Sequence, residues 1–427
     1  IAVKYNERSV ELSTRLSLVN STTPEPNFFS EYERQIGPTK TDYIDNPRDR
    51  ELLTMLRDER ENNLSPYAFK SKSGQGRLTE EEPCIIRSPY ERDTGRIIYS
   101  QAFRRLRHKT QVFFNPKNDH ICSRIEHVIY VNYIATTIAR ALNLNIDLVQ
   151  AISLGHDIGH APFGHSGERA LNECAKKYDS SLVFHHEMQS LRVADYLAGR
   201  NKGYKSGLNL TFEVRDGIVS HCGETYSEYR LTPCRDKKME DLILLVRPAD
   251  SMPATLEGCV VRIADKIAYV GRDIEDAARA GILEFEDIPP AIRSRLGQNN
   301  SQIINTLVAD IVHHSLNKDE ICLSDEAGEA MQELLKENVE RIYRSDKIKR
   351  YEQRVSNTVE ALFDALMAAI ADPEKAERSG NSVFNELVDF AKIFKNEGQG
   401  DARIVMDYIA GMTDSFATRC YEKIYWV

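Results

Sequence analysis

Residues 153–168 read SLGHDIGHAPFGHSGE, which sets His156, His160, His165, Asp157 and Glu168 around a turn rich in Gly and Pro. Imidazoles and carboxylates this close together can hold a metal ion or hand on protons. Adjacent residues on one helix do not face the same way, but a helix end can aim His156 and Asp157 at one point. A capped helix end with a surface carboxylate is the ordinary alternative. Two distant residues change the weighing. His127 lies mid-helix in SRIEHVIYV, at a polar-to-apolar boundary, and Asp265 places a charge inside the otherwise apolar helical face of VVRIADKIAYVGRD. A buried carboxylate needs a partner or a metal. His127, His156, Asp157 and Asp265 form a mixed nitrogen and oxygen set suited to Mn²⁺, Fe²⁺, Ni²⁺, Mg²⁺ or Zn²⁺, with positions open for water and substrate. Ligand type does not choose among these ions.

The elements that must position these groups are helical. Ile125, Val128, Ile129, Ile134 and Ile138 recur at helical steps and predict an amphipathic helix over Ser123–Leu142. A second helix, DLVQAISLGHD, starts at Asp147 and is brought to an end by Gly159 and Pro162. Further helices are expected over 166–178, 186–198 and, as one long rod, Val260–Ala280. Residues 20–50 and 200–212 read as loop, 71–82 (SKSGQGRLTEEE) as a mobile loop, and the last third as helical. The segment RIIYSQAFRRLRHKTQVF is helical with a β-like tail, strands are few, and no repeat has a fixed period. The expected fold is mainly α. It divides into an N-terminal extension (1–83), a helical core (84–285) and a helical C-terminal region packed on the core (286–427).

The bulk properties bound the class. With 427 residues, 41% apolar and 28% charged, the chain can bury a sizeable core. No run approaches the ~20 apolar residues of a membrane span. The opening IAVKYNERSV has no apolar signal core and no Met, so residues are expected to precede it and the location to be cytoplasmic. Eight cysteines without a CxxC pair suit free thiols in a reducing compartment. A net charge of −9 argues against a nucleic-acid-coating surface. The one dense basic run, RRLRHK (104–109), reads as a subunit contact or as salt bridging, with Arg104 or Arg105 paired to acids such as Asp93; nucleic-acid binding is the alternative, but no aromatic residues interleave it.

The order His127, His156–Asp157, Asp265 resembles the metal-binding pattern of HD-domain phosphohydrolases. The segments YSQAFRRLRHKTQVF (99–113), SRIEHVIYV (123–131), GHDIGHAPFGHSGE (155–168), RIADKIAYVGRDIEDAARAG (262–281) and YIAGMTDSFA (408–417) are similar to the bacterial deoxyguanosinetriphosphate triphosphohydrolase-like family. The resemblance covers about residues 84–281 and then the C-terminal motif. It implies an all-α, oligomeric protein, a tetramer or hexamer. It also implies hydrolysis of a deoxynucleoside triphosphate to deoxynucleoside and intact triphosphate by water attack at the α-phosphorus. One divalent ion per site would sit on His127, His156, Asp157 and Asp265. An effector nucleotide or single-stranded DNA would be further partners; no membrane is involved.

The same resemblance makes His165 and Glu168 a catalytic dyad and His186 a second catalytic histidine, with His185 as its competitor. The residues agree. His165 and Glu168 are three apart at a helix start, where a carboxylate can orient an imidazole. That histidine would protonate the leaving O5′ or help activate water; a capping interaction is the alternative. Arg124, Lys266 and Tyr269 resemble phosphate contacts, and Gln111 and Asp273 the pair that binds the sugar 3′-hydroxyl. Asp265, Tyr269 and Asp273 stand at i, i+4 and i+8 on one helical stripe, although Tyr269 also suits a core. His160 reads as a loop hydrogen bond, and His108, His120, His221, His313 and His314 as structural or surface residues. An HD phosphodiesterase or 5′-nucleotidase, or a non-catalytic nucleotide or nucleic-acid binder, are the competing functions.

Overall fold

The computed structural model describes residues 46–111, 122–199, 207–222, 228–245 and 251–426. His120 and most of the polar stretch 20–50 lie outside them. The fold is mainly α. Helices α1 (Pro47–Asn62), α2 (Pro89–Tyr99) and α3 (Gln101–Arg105) precede α4 (Arg124–Ala141), α5 (Ile146–Gly155), α6 (Gly164–Tyr178), α7 (His186–Arg192) and α8 (Phe212–Val219). Next come α9 (Met239–Leu244), α10 (Leu256–Val270), α11 (Arg272–Arg279), α12 (Pro290–Leu296) and α13 (Asn300–Ser315). The chain closes with α14 (Asp325–Asn338), α15 (Asp346–Ala371), α16 (Pro373–Arg378), α17 (Ser382–Lys395), α18 (Asp401–Ala410) and α19 (Asp414–Tyr425). Among the described residues the strands are one short antiparallel pair, β1 (Arg230–Leu231) with β2 (Ile321–Cys322). None of the described helices is long and apolar enough to cross a membrane. All eight cysteines are free thiols.

Two hydrophobic clusters organise these helices. In the first, α4, α5, α8 and α10 pack on one another through Val128, Val131 and Ile138, Leu148 and Ile152, Val214 and Ile218, and Val260, Ala264 and Ile267, all buried. Each such Val, Leu or Ile contributes on the order of 1.5–3 kcal/mol on burial. The second joins α6 to the C-terminal helices: Leu171, Cys174 and Ala175 meet Val359, Leu362 and Phe363 of α15. Ala161 and Phe163, from the turn before α6, belong to this second cluster.

Several local expectations change. α5 ends at Gly155, so His156 is its C-cap and Asp157 lies in the turn beyond, ahead of Gly159 and Pro162. The long rod over 260–280 is broken at Gly271 into α10 and α11, so Asp273 stands on a different helix from Asp265 and Tyr269. A Cβ at Gly271 would fall 2.4 Å from Asn300 Oδ1, so only glycine lets the start of α13 come this close. The helix over 186–198 is α7 followed by a π turn, Val193–Leu197. Phe212, placed in a loop by sequence, opens α8. The loop 71–82 is tied down rather than mobile. Arg77 binds Asp93, Asn209 O (2.7 Å) and Pro89 O (2.9 Å), and Glu81 binds Arg92 (2.8 Å) and Arg96. Asp93 is therefore the partner of Arg77, not of Arg104 or Arg105, because its oxygens are taken by Arg77 and by the Thr211 N–H and hydroxyl (both 2.8 Å). Lys109 is buried, and burial together with nearby Arg105 pushes its amine down to about 7.

Buried Glu257, near the start of α10, fastens two loops: its Oε1 accepts the Phe69 and Asn145 N–H groups, each at 3.0 Å, while its Oε2 has no partner. Burial pushes this carboxyl up to about 7 from an ordinary 4.5. A raised carboxyl costs stability where it is ionised. The cost is absent below the unfolded value, grows between the two values, and is complete above the folded one. Glu257→Gln keeps the oxygen that accepts both N–H groups and removes the charge. Its stability relative to the parent should therefore improve as pH rises from 5 to 8, by on the order of 2–3 kcal/mol. Thermal or denaturant unfolding at both pH values measures this; a difference independent of pH would refute it.

Candidate active site and metal centre

Three helices and one turn deliver the charged groups. α4 begins where the Ser123 N–H (2.7 Å) and hydroxyl (2.8 Å) both donate to Glu126, an acid in the first turn that complements the helix dipole. One turn into α4, Arg124 and His127 lie on one face. Arg124 Nη1 donates to Asp157 Oδ2 (2.8 Å) and its Nη2 to Gln111 O (3.2 Å). His127 Nε2 lies 2.8 Å from Asp265 Oδ1 on α10. His156 Nδ1 lies 2.7 Å from Ser153 O, within reach to donate, which leaves its Nε2 as a lone pair. That Nε2 is buried without a hydrogen-bond partner, 3.5 Å from Asp157 Oδ2 and 3.9 Å from Asp265 Oδ1.

A buried ring nitrogen without a hydrogen-bond partner, facing two carboxylates, is an arrangement that a metal cation satisfies. The donor atoms of His127, His156 and Asp157 lie within 4.8 Å of one another, as do those of His156, His221 and Asp265. The residues fit a divalent metal ion. Burial opposes the charge on Asp157, but the Arg124 guanidinium beside it outweighs burial and holds the carboxyl well below the usual range. Asp265 is likewise held low, against burial, chiefly by its bond to His127.

The second group stands at the start of α6. Phe163 and Gly164 are both left-handed (φ +64° and +63°), and a Cβ at Gly164 would fall 3.0 Å from Gln111 O. This double reversal turns His165 and Glu168 back toward the metal set. His165 Nδ1 lies 3.4 Å from Glu168 Oε2, and its side chain is 60% exposed. Glu168 also meets buried His186: Oε2 lies 3.1 Å from its Nδ1, and Oε1 accepts its N–H at 3.0 Å. Burial would raise Glu168, but His186 and the bonds from His165 and His186 hold it well below the carboxylate range. Burial would lower His186, but Glu187 and Glu168 push it well above its usual value, so it is an imidazolium at neutral pH. His185 caps α7 and makes no such contact, so His186 is the member of the pair that reaches Glu168. The donor atoms of His160, His165, Glu168 and His186 also fall within 4.8 Å of one another.

Of the residues assigned to substrate, Gln111 and Asp273 each keep one buried oxygen without a partner, Oε1 and Oδ1. Asp273 Oδ2 accepts from Tyr343, and burial pushes its carboxyl up to about 7. Lys266 is buried with Nζ near Glu228 (3.3 Å to Oε2), which also takes Arg262 (2.9 Å). Tyr269 is half-buried against the first cluster.

His160 and His221 were set aside on sequence and lie in this site. His160 stacks on His186 (4.7 Å between centroids), and burial holds it neutral. His221 packs against His156 (4.8 Å); its Nδ1 lies 2.6 Å from Ile218 O, and burial pushes it down to about 4. The signal was present: in AISLGH and DGIVSH an apolar helix ends on a histidine that reaches the carbonyl three residues back.

An HD domain matches residues 124–270, and a phosphohydrolase-associated domain matches residues 321–423. The chain is 42% identical to a deoxyguanosinetriphosphate triphosphohydrolase-like protein of Caldanaerobacter subterraneus subsp. tengcongensis, over 85% of this chain and 92% of that one. Proteins of the same description from Desulfatibacillum aliphaticivorans (38%, over 85% of this chain and 95% of the relative) and Rickettsia felis (35%, over 84% and 98%) are also similar. The chain belongs to the deoxyguanosinetriphosphate triphosphohydrolase-like family of HD-domain proteins.

Replacing a donor should empty the metal centre without unfolding the chain. Purified His127→Ala and Asp265→Ala are expected to hold at least roughly tenfold less divalent metal per chain than the parent, and His165→Ala the parental amount. Elemental analysis decides, and full occupancy in Asp265→Ala would remove that residue from the ligand set.

Proposed function

We propose that this protein hydrolyses deoxynucleoside triphosphates, dGTP or a broader set, to the deoxynucleoside and intact triphosphate. A divalent ion on His127, His156, Asp157 and Asp265 would supply Lewis-acid polarisation of a phosphoryl group. Water attacks the α-phosphorus, the bond from phosphorus to O5′ breaks, and O5′ takes a proton. His165 is the donor for that transfer in this reading, which its exposure and its contact with Glu168 support. Glu168 orients the imidazole, and His186 keeps Glu168 ionised. Arg124, Lys266 and Tyr269 take the phosphates. Gln111 and Asp273, each with an oxygen that has no partner in the structure, take the sugar 3′-hydroxyl: the Asp273 carboxyl accepts its one proton and the Gln111 side-chain amide donates to its oxygen. The observation that carries this reading is the shared carboxylate: one ionised acid between an exposed and a buried histidine, beside a donor set that fits a metal, supports acid catalysis at a phosphoryl centre.

The test is product analysis by anion exchange after each dNTP, and GTP, is incubated singly and in mixtures with Mg²⁺ or Mn²⁺. Deoxynucleoside plus triphosphate is expected. Pyrophosphate or orthophosphate would replace the reading with another HD chemistry, and nucleotide binding without product would replace it with a sensor. His165→Ala and Glu168→Gln should lose about 10²–10⁴-fold in kcat while keeping their metal.

A further inference from the structure

The C-terminal motif YIAGMTDSFA has no part in the chemistry above, yet it touches the site twice. Asp414 is the first residue of α19, and its carboxylate turns away from that helix. Oδ1 accepts the Phe163 N–H (2.8 Å) and Oδ2 the Thr110 N–H (2.9 Å). Phe163 is the left-handed residue directly before Gly164 and His165, and Thr110 directly precedes Gln111. Lys109 repeats the pattern from the other side: its Nζ donates to His160 O and to Ala410 O (2.8 Å). Both groups are buried. The arm they grip is also fixed to α4: Arg124 N donates to Lys109 O (2.9 Å), and Thr110 bridges to Ser123.

We propose that Asp414, seconded by Lys109, is a positioning residue that clamps the turn carrying His165 and Glu168 to the arm carrying Gln111. A non-glycine residue at positive φ is held against its own preference, and a β-carboxylate that receives its N–H at 2.8 Å supplies the hold. A single carboxylate bridging the two backbones fixes the distance between the proton donor and the sugar contact. The proposal rests on the reading of His165 and Glu168 as the dyad.

Two measurements separate the proposal from that reading. Hydrogen–deuterium exchange on the full chain tests the clamp without activity. In Asp414→Asn, which can accept only one of the two N–H groups, peptides covering 108–111 and 159–165 should exchange about tenfold faster, and those of α4 and α10 as in the parent. Kinetics with the dNTP turned over fastest test the role. Asp414→Asn and Asp414→Ala should lose roughly 10-fold and 100-fold in kcat, in that order, with metal content unchanged and KM raised. In a His165→Ala background the Asp414 changes should cost less than about threefold in kcat, because the group they position is gone. Asp414→Asn is nearly isosteric and carries the test should the alanine variant not fold. Parental exchange, parental kcat in a metal-loaded variant, or an undiminished loss in the His165→Ala background would each overturn the proposal. Full turnover in His165→Ala alone would instead sink the dyad reading, and exchange would still judge the clamp.

Discussion

Asp157 and Asp265 bring negative charge into a helical interior, and the site is organised by the need to balance it. Ionised carboxylates away from water require opposite charge and hydrogen bonds in fixed places. α4 answers with Arg124 for Asp157 and, one turn later, His127 for Asp265. His127 and Asp265 thus join the apolar stripe around Val128, Val131 and Val260 in setting the register between α4 and α10. A slip of one residue in α4 would turn Arg124 and His127 by about 100° and leave both acids unpaired. Even in register, His156 Nε2 stays buried without a hydrogen-bond partner and faces the two carboxylates, a place that a metal cation would fill.

Glu168 works under the opposite condition. His186 compensates its charge in a buried pair, and it stays ionised far below neutral pH. It is therefore a poor proton acceptor and a good orienting group. One carboxylate thereby meets two histidines in different settings: His186 is buried against it, and His165 is the exposed member of the group. His160, held neutral by burial, stacks on His186 at the back of that pair.

The helical class, the free thiols and most elements were legible because apolar periodicity reports directly on burial. The clustering of His127, His156, Asp157 and Asp265 was legible because a charge in an apolar helical face has few stable fates. Boundaries were less so. Nothing local marks Gly155 rather than Gly159 as the end of α5, and the break at Gly271 sits against Asn300, twenty-nine residues on. Loop 71–82 has the composition of a free loop, but Arg77 finds Asp93 and two carbonyls that only the folded chain assembles. His221 escaped because its role depends on where α8 ends beside His156, a tertiary fact. Within RRLRHK, read as a subunit contact or as salt bridging, Lys109 is instead buried on two carbonyls, since a run of basic residues does not reveal which of them meets the backbone.

The two hydrophobic clusters give this arrangement a mechanical consequence. The proposed metal ligands hang from α4, the end of α5 and α10, all in the first cluster, whereas the turn and helix that carry His165 and Glu168 pack into the second. The site lies along their seam. Apolar contacts alone leave such a seam free to slide, because they are non-directional. Proton transfer to a leaving oxygen tolerates little sliding. Links that cross the seam are directional: Lys109, on the arm fixed to α4, reaches His160 O and Ala410 O, and Asp414, which also holds the Phe163 N–H, reaches the Thr110 N–H. The C-terminal helices thereby do more than cover the core. They supply one wall of the seam and the charged groups that lock it, which ties the packing around α18 and α19 to the relative placement of donor and metal centre rather than to either alone.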